Sequence, residues 1–128
     1  MTLFRKALEF ERAFVQAGGV LIAGLDPTGN GGIVAGFGDL REIELLVEAG
    51  FTPVEAVKIA TLNGAKFLGE DARIGSIVIG KQADLMVVKG NPAANIGDIE
   101  NVEIVFKDGV GYDSEKLIQS VQGLVGIR

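Results

Sequence analysis

From Val20 to Ala23 the chain is apolar without a break, and the run continues through Gly24 and Leu25 to close on Asp26 and Pro27. A short uninterrupted apolar run is the mark of a strand buried on both faces, as in parallel sheets covered by helices. Upstream, Leu3, Ala7, Phe10 and Phe14 recur at helical spacing, and Gly18-Gly19 ends the pattern with residues that accept the left-handed cap conformation. The order helix, two glycines, buried strand is an αβ step. It sets a carboxylate, Asp26, at the carboxyl end of the strand, where α/β folds put their active sites.

Downstream, the segment from Pro27 to Gly38 is rich in glycine and reads as a long loop, after which Asp39 and Glu42 are spaced like an N-cap and its N3 partner. Leu40, Ile43, Leu46 and Val47 form the apolar stripe of the helix that follows, and Gly50 stops it. Thr52-Pro53-Val54-Glu55 supplies the next start, with a hydroxyl cap, proline at the first helical position and Glu at N3. That helix is expected to reach about Leu62, where Asn63-Gly64 interrupts it before one further turn. From Ile74 the character changes: Ile74 to Lys81 reads as a strand and turn and Ala83 to Val88 as a second strand, and Val102 to Phe106 forms another before a turn at Lys107-Asp108-Gly109. Ser114 and Glu115 open a last helix carrying Leu117, Ile118, Val121 and Leu124, which are expected to pack on a neighbour.

Composition narrows the function classes. With 48% hydrophobic residues the chain buries a core and is no disordered polyelectrolyte. A net charge of -5, with the basic residues scattered, argues against nucleic acid. No stretch approaches the roughly 20 apolar residues that span a bilayer, so the expectation is a soluble, cytoplasmic protein with no membrane partner. Histidine and cysteine are both absent, which removes thiolate chemistry and the usual ligands of a zinc site.

The run from Asp39 to Pro53 closely resembles the helix and turn after the last barrel strand of the amidohydrolase superfamily. The resemblance continues in register through Glu55-Ala56 and Ala60-Thr61-Leu62-Asn63-Gly64-Ala65. Ile74-Gly75-Ser76-Ile77 followed by Gly80-Lys81-Gln82-Ala83-Asp84-Leu85 is similar to the family's G-x-I-x-x-G-K-x-A-D-L signature, and Val105 to Gly109 to its closing strand and turn. Among branches of the family, the imidazolonepropionase-like and dipeptidase-like members are the most similar.

The resemblance implies an α/β architecture, the last βα portion of a (β/α)8 barrel followed by the carboxyl-terminal strands of a small composite β-sandwich. A complete barrel needs about 250 residues, so this one is expected to be incomplete. Residues 1–70 then form the barrel part, 71–113 the sandwich segment and 114–128 the final helix. The family uses one or two divalent metals, usually zinc. Its histidine ligands have no counterpart here, so no metal is expected to bind this chain tightly on its own.

One residue carries over. Asp26 matches the aspartate at the end of the eighth strand, which in the family contacts a metal and takes a proton from the attacking metal-bound water. Thr28 and Asn30, on the loop that follows, are the candidate substrate contacts. The implied reaction is hydrolysis of a C–N bond in a small amide, cyclic amide or dipeptide-like substrate, with the isolated chain inactive. Read locally, however, Asp26 before Pro27 is also a turn-forming aspartate. The alternative function is a non-catalytic assembly or small-ligand-binding module. A lone strand cannot cover its own hydrogen-bonding edges, so either self-association or an amino-terminal part is expected to complete it.

Taken the same way, Gly29 to Gly38 lacks the spacing of a phosphate loop and reads as a connection. Asp84 is expected to tie down a turn backbone and Lys81 to hold its head in solvent. Arg41, Glu42, Glu44 and Glu48 fit an exposed helix face with local ion pairs. Phe4, Phe10 and Phe14 are expected in the core.

Overall fold

The structure, a computed structural model, describes residues 2–27, 33, 34 and 36–124. Helix α1 (Leu3–Gln16) starts at Thr2, whose hydroxyl accepts from the Arg5 N–H at 3.4 Å. It ends as the paired glycines require: Gly18 takes φ 92°, its N–H donates to the Val15 carbonyl, and the Gly19 N–H donates to that of Phe14. This double hydrogen bond is a Schellman motif, and it turns the chain back along the helix. A Cβ on Gly19 would stand 2.4 Å from the Phe14 ring, so the turn also needs the missing side chain.

The expected apolar face of α1 is not the buried one. Leu8 and Val15 pack on the core, whereas Phe4, Phe10 and Phe14 are exposed, Phe10 by 71%. Among the described residues this face stays largely open, with Gly19 lying against the Phe14 ring.

Helix α2 (Phe37–Glu48) begins three residues earlier than the spacing of Asp39 and Glu42 suggests. Asp39 is the third helical residue rather than the cap, and its carboxylate accepts from the Gly36 N–H at 3.1 Å. The stripe itself is as expected, with Leu46 buried and Ile43 and Val47 packed beside it. The Arg12 guanidinium donates to the Gly50 carbonyl and lies 5.5 Å from the centre of the Phe51 ring, joining α1 to the end of α2.

Thr52 and Glu55 form the capping box of α3 (Pro53–Lys58), each accepting from the other's backbone N–H, at 3.3 and 2.7 Å. No break follows at Asn63-Gly64. The helix runs on through a π-helical turn (Ile59–Asn63) into α4 (Gly64–Phe67), with Gly64 itself at φ -61°, ψ -45°. The inserted residue of the π turn lets the helix continue where a breaker was expected. Leu46, Ala49, Phe51, Ala56 and Ile59 make the core between α1, α2 and α3.

The second layer is an antiparallel sheet of order β1-β2-β3, from β1 (Leu85–Val88), β2 (Val102–Lys107) and β3 (Val110–Asp113). Asp108 at φ 52° and Gly109 at φ 79° form the two-residue turn between Lys107 and Val110. Positive φ at both positions gives the type I′ hairpin that suits strand twist, and it makes the short β3 possible. Between β1 and β2 a 3-10 turn (Ile96–Glu100) buries Ile99 against the helical layer.

Of the strand and turn expected over residues 74–81 the turn is present, with the Lys81 N–H donating to the Val78 carbonyl at 3.1 Å, but among the described residues the segment joins no ladder. Ile77 and Ile79 are fully open to solvent, and the segment is held instead by Lys81, whose ammonium donates to the Asp71 and Ile74 carbonyls and to the Ser76 hydroxyl. Lys81 is therefore a clasp and not a solvated cation. Helix α5 (Ser114–Ser120) follows β3, capped by Asp113. Leu117, Ile118 and Val121 stay about half exposed, lining with Phe37, Leu40 and Val102 a cavity of about 600 Å³. Among the described residues no helix is long and apolar enough to cross a membrane.

Two of the backbone ties titrate. The Thr52 N–H, then its hydroxyl, hold the Glu55 carboxyl below its ordinary 4.5. The Asp108 N–H, then the Lys107 ammonium at 2.6 Å, hold Asp84 below its ordinary 3.8, so Asp84 ties the hairpin turn as expected. Both acids bind a proton less readily in the folded chain, so their contribution is complete above the ordinary values and lost as pH falls through the depressed ones. The double variant Glu55→Gln, Asp84→Asn is expected to unfold at lower urea than the parent at neutral pH, with the gap closing in strong acid. A gap independent of pH would contradict this assignment.

Candidate functional site

Residues 20–26 carry the candidate carboxylate, and they do not form the strand expected of them. Among the described residues they pair with no strand, because the three strands present belong to the other layer. The side-chain rhythm of a strand nevertheless survives: Leu21, Ala23 and Leu25 are half-buried, while Val20, Ile22, Gly24 and Asp26 are exposed. Leu21 and Ala23 pack against the core, and Val20 is 71% exposed on the other side. One face is covered rather than two.

Without ladder partners, the backbone of this segment is met by side chains from the helices. The Leu21 carbonyl accepts from Asn63 Nδ2 at 2.8 Å, and the Gly24 N–H donates to Glu42 Oε1 at 3.2 Å. Glu42 thus leaves the set of ion-paired surface residues, whereas Arg41 does pair as expected, with Glu44 at 2.8 Å and Glu48 at 2.6 Å. Neither tie was foreseen, although a signal exists. Glu42 lies four residues before Leu46 and Asn63 four after Ile59, so each is a polar residue on a core-facing side of its helix. A polar group in such a place needs a partner.

Asp26 ends the segment at φ 44°. Aspartate is among the few residues that tolerate this region, yet the following Pro27 crowds the backbone of its predecessor. Outliers of this kind cost about 1–3 kcal/mol and concentrate at functional sites. The Asp26 side chain is exposed. A cavity of about 610 Å³ opens beside the segment, lined by Gly24, Leu25, Phe37, Arg41 and Glu42, and Asp26 is not in its wall. Thr28 and Asn30 lie outside the described residues.

The described residues do not fit a metal centre. They contain no group of three potential ligands, and the whole sequence has neither histidine nor cysteine to add to Asp26. A catalytic zinc takes three protein ligands.

Comparison with known proteins bears on this geometry. A family model described as the amidohydrolase family matches residues 15–111. An imidazolonepropionase of Parabacteroides distasonis is 50% identical over 65 residues, 48% of this chain and 15% of that protein. A 5'-deoxyadenosine deaminase of Methanobrevibacter smithii is 39% identical over 59 residues, 46% of this chain and 14% of that one. The crystal structure of a Xaa-Pro dipeptidase with methionine bound in its active site superposes with a TM-score of 0.67 at 33% identity, covering 85% of this chain and 25% of the dipeptidase. The chain therefore spans about a quarter or less of each of these relatives. The family match runs through Asp26, both of its supporting helices and the first two strands of the sheet, and the chain belongs to the amidohydrolase family.

Proposed function

We propose that the chain is the carboxyl-terminal portion of a metal-dependent hydrolase that cleaves a C–N bond in a small amide, cyclic amide or dipeptide-like substrate. Asp26 is its proton-handling carboxylate. The observation that carries this reading is the family match across residues 15–111, which includes Asp26 with its positive φ at the end of a strand-like segment. Relatives named as a deaminase, an imidazolonepropionase and a dipeptidase support the reaction class and leave the substrate open.

The chemistry asked of Asp26 is simple. An ionised carboxylate takes a proton from water as the oxygen bonds to the carbon of the C–N group, and returns it to the nitrogen as that bond breaks. Thr28 and Asn30 are proposed to contact the substrate through a hydroxyl and an amide. Among the described residues no three potential ligands are grouped, so the role proposed for this portion is that of proton acceptor.

Assay of the protein encoded by the complete reading frame against dipeptides, cyclic amides and aminopurine nucleosides tests the class. Release of amine or ammonia from at least one group is expected. Turnover confined to phosphate or carboxylate esters would contradict it.

A further inference from the structure

We propose that Asn63 and Glu42 are positioning residues, a two-point clamp on the backbone of residues 21–24 that fixes the left-handed conformation in which Asp26 is presented. This rests on reading Asp26 as the reactive carboxylate. The chemistry of each tie matches the group it meets. A carbonyl needs a donor, and Asn63 offers its amide N–H to Leu21 at 2.8 Å; an N–H needs an acceptor, and Glu42 offers a carboxylate oxygen to Gly24 at 3.2 Å.

The two ties come from different helices, α2 and the π turn, and meet the segment five and two residues before Asp26. The Asn63 tie is half-buried, so water competes with it less than with a surface bond. Between the ties, Leu21 and Ala23 are seated in the core, which leaves the segment little freedom to slide along the helices. A strained residue persists only where its surroundings over-determine it, and ties on the backbone two and five residues before Asp26 contribute to that over-determination. The π turn then has a purpose. It carries a helix through Gly64 while its last residue, Asn63, reaches the segment, as π insertions at functional sites often do.

Nuclear magnetic resonance of the whole chain tests the clamp with neither metal nor substrate present. Two readouts suffice: hydrogen exchange of the Gly24 amide, and the strong intraresidue amide-to-Hα contact that a positive φ gives Asp26. Asn63→Asp keeps the shape but turns an acceptor toward the Leu21 carbonyl. It is expected to abolish the Asp26 contact while protection at Ala56 and Ile59 changes less than about twofold. Glu42→Ala is expected to speed Gly24 exchange by at least about tenfold. Glu42→Gln, which retains a carbonyl acceptor, is expected to stay within about threefold of the parent.

Persistence of the Asp26 contact in both Asn63→Asp and Glu42→Ala would overturn the proposal. So would loss of protection at Ala56 and Ile59 in step with Gly24, the result expected of residues that merely hold the fold. An inactive role for Asp26 would show in turnover alone and would leave these spectra unchanged, so the two failures are distinguishable.

Discussion

Phe51→Ala is expected to destabilise the chain by about 3–5 kcal/mol, the usual cost of removing a buried aromatic ring. Phe51 is only 5% exposed and belongs to the five-residue core cluster with Leu46, Ala49, Ala56 and Ile59. Its ring also faces the Arg12 guanidinium, so truncation opens a cavity and takes away the surface on which α1 meets the end of α2. Globular domains are stable by about 5–15 kcal/mol, and a layer with so small a core belongs near the bottom of that range. The variant is therefore expected to keep only about 0–2 kcal/mol of stability and to unfold at a much lower urea midpoint than the parent by circular dichroism. Phe10→Ala is the contrast, since that ring is exposed and surface changes stay within about 0.5 kcal/mol. Equal urea midpoints for the parent and Phe51→Ala would contradict the assigned core.

What the sequence reveals about this fold depends on where each element finds its partners. Three helix ends were legible because their signals are local, Gly18 and Gly50 taking the positive φ of a glycine cap and Thr52 and Glu55 forming the box their spacing predicts, whereas the start of α2 and the stop expected at Asn63-Gly64 were misplaced. The Asp108-Gly109 hairpin was legible for the same reason. Strands and faces were less so, because they depend on distant contacts. Residues 20–26 have the composition of a doubly buried strand and the alternation of one, yet one side stays open among the described residues. Residues 76–79 and the phenylalanines of α1 show the same pattern, apolar surface that stays largely open within the described chain. Such surface fits the comparisons, in which this chain matches about a quarter or less of each named relative.

At the site, Asp26 was legible as a residue type at the end of an apolar run. Its φ of 44° and its supports were not. Asn63 beside Gly64 looks like a helix stop until the π turn is seen, and Glu42 looks like one more surface acid until its carboxylate meets Gly24. Side-chain ties across 42 and 18 residues leave no local trace beyond a polar residue on a core-facing side of a helix.

The second large effect concerns Asp26→Asn. Asparagine is nearly the same size and tolerates positive φ as well as aspartate does, so the turn before Pro27 is expected to keep its shape. An amide has no basic oxygen near neutral pH and cannot take the proton from an attacking water. Loss of a positioned acid or base typically costs about 10²–10⁴ in rate, and the loss should fall on turnover rather than on substrate binding. A turn-forming aspartate would behave in the opposite way, with activity retained and at most a small change in stability.

The most direct measurement is the turnover number of Asp26→Asn beside the parent, in the protein encoded by the complete reading frame, with both folded to the same extent and assayed on the same amide. The account predicts a fall in kcat of about 10²–10⁴ with KM nearly unchanged. Turnover within about threefold of the parent would contradict it and would return Asp26 to the role of a turn residue.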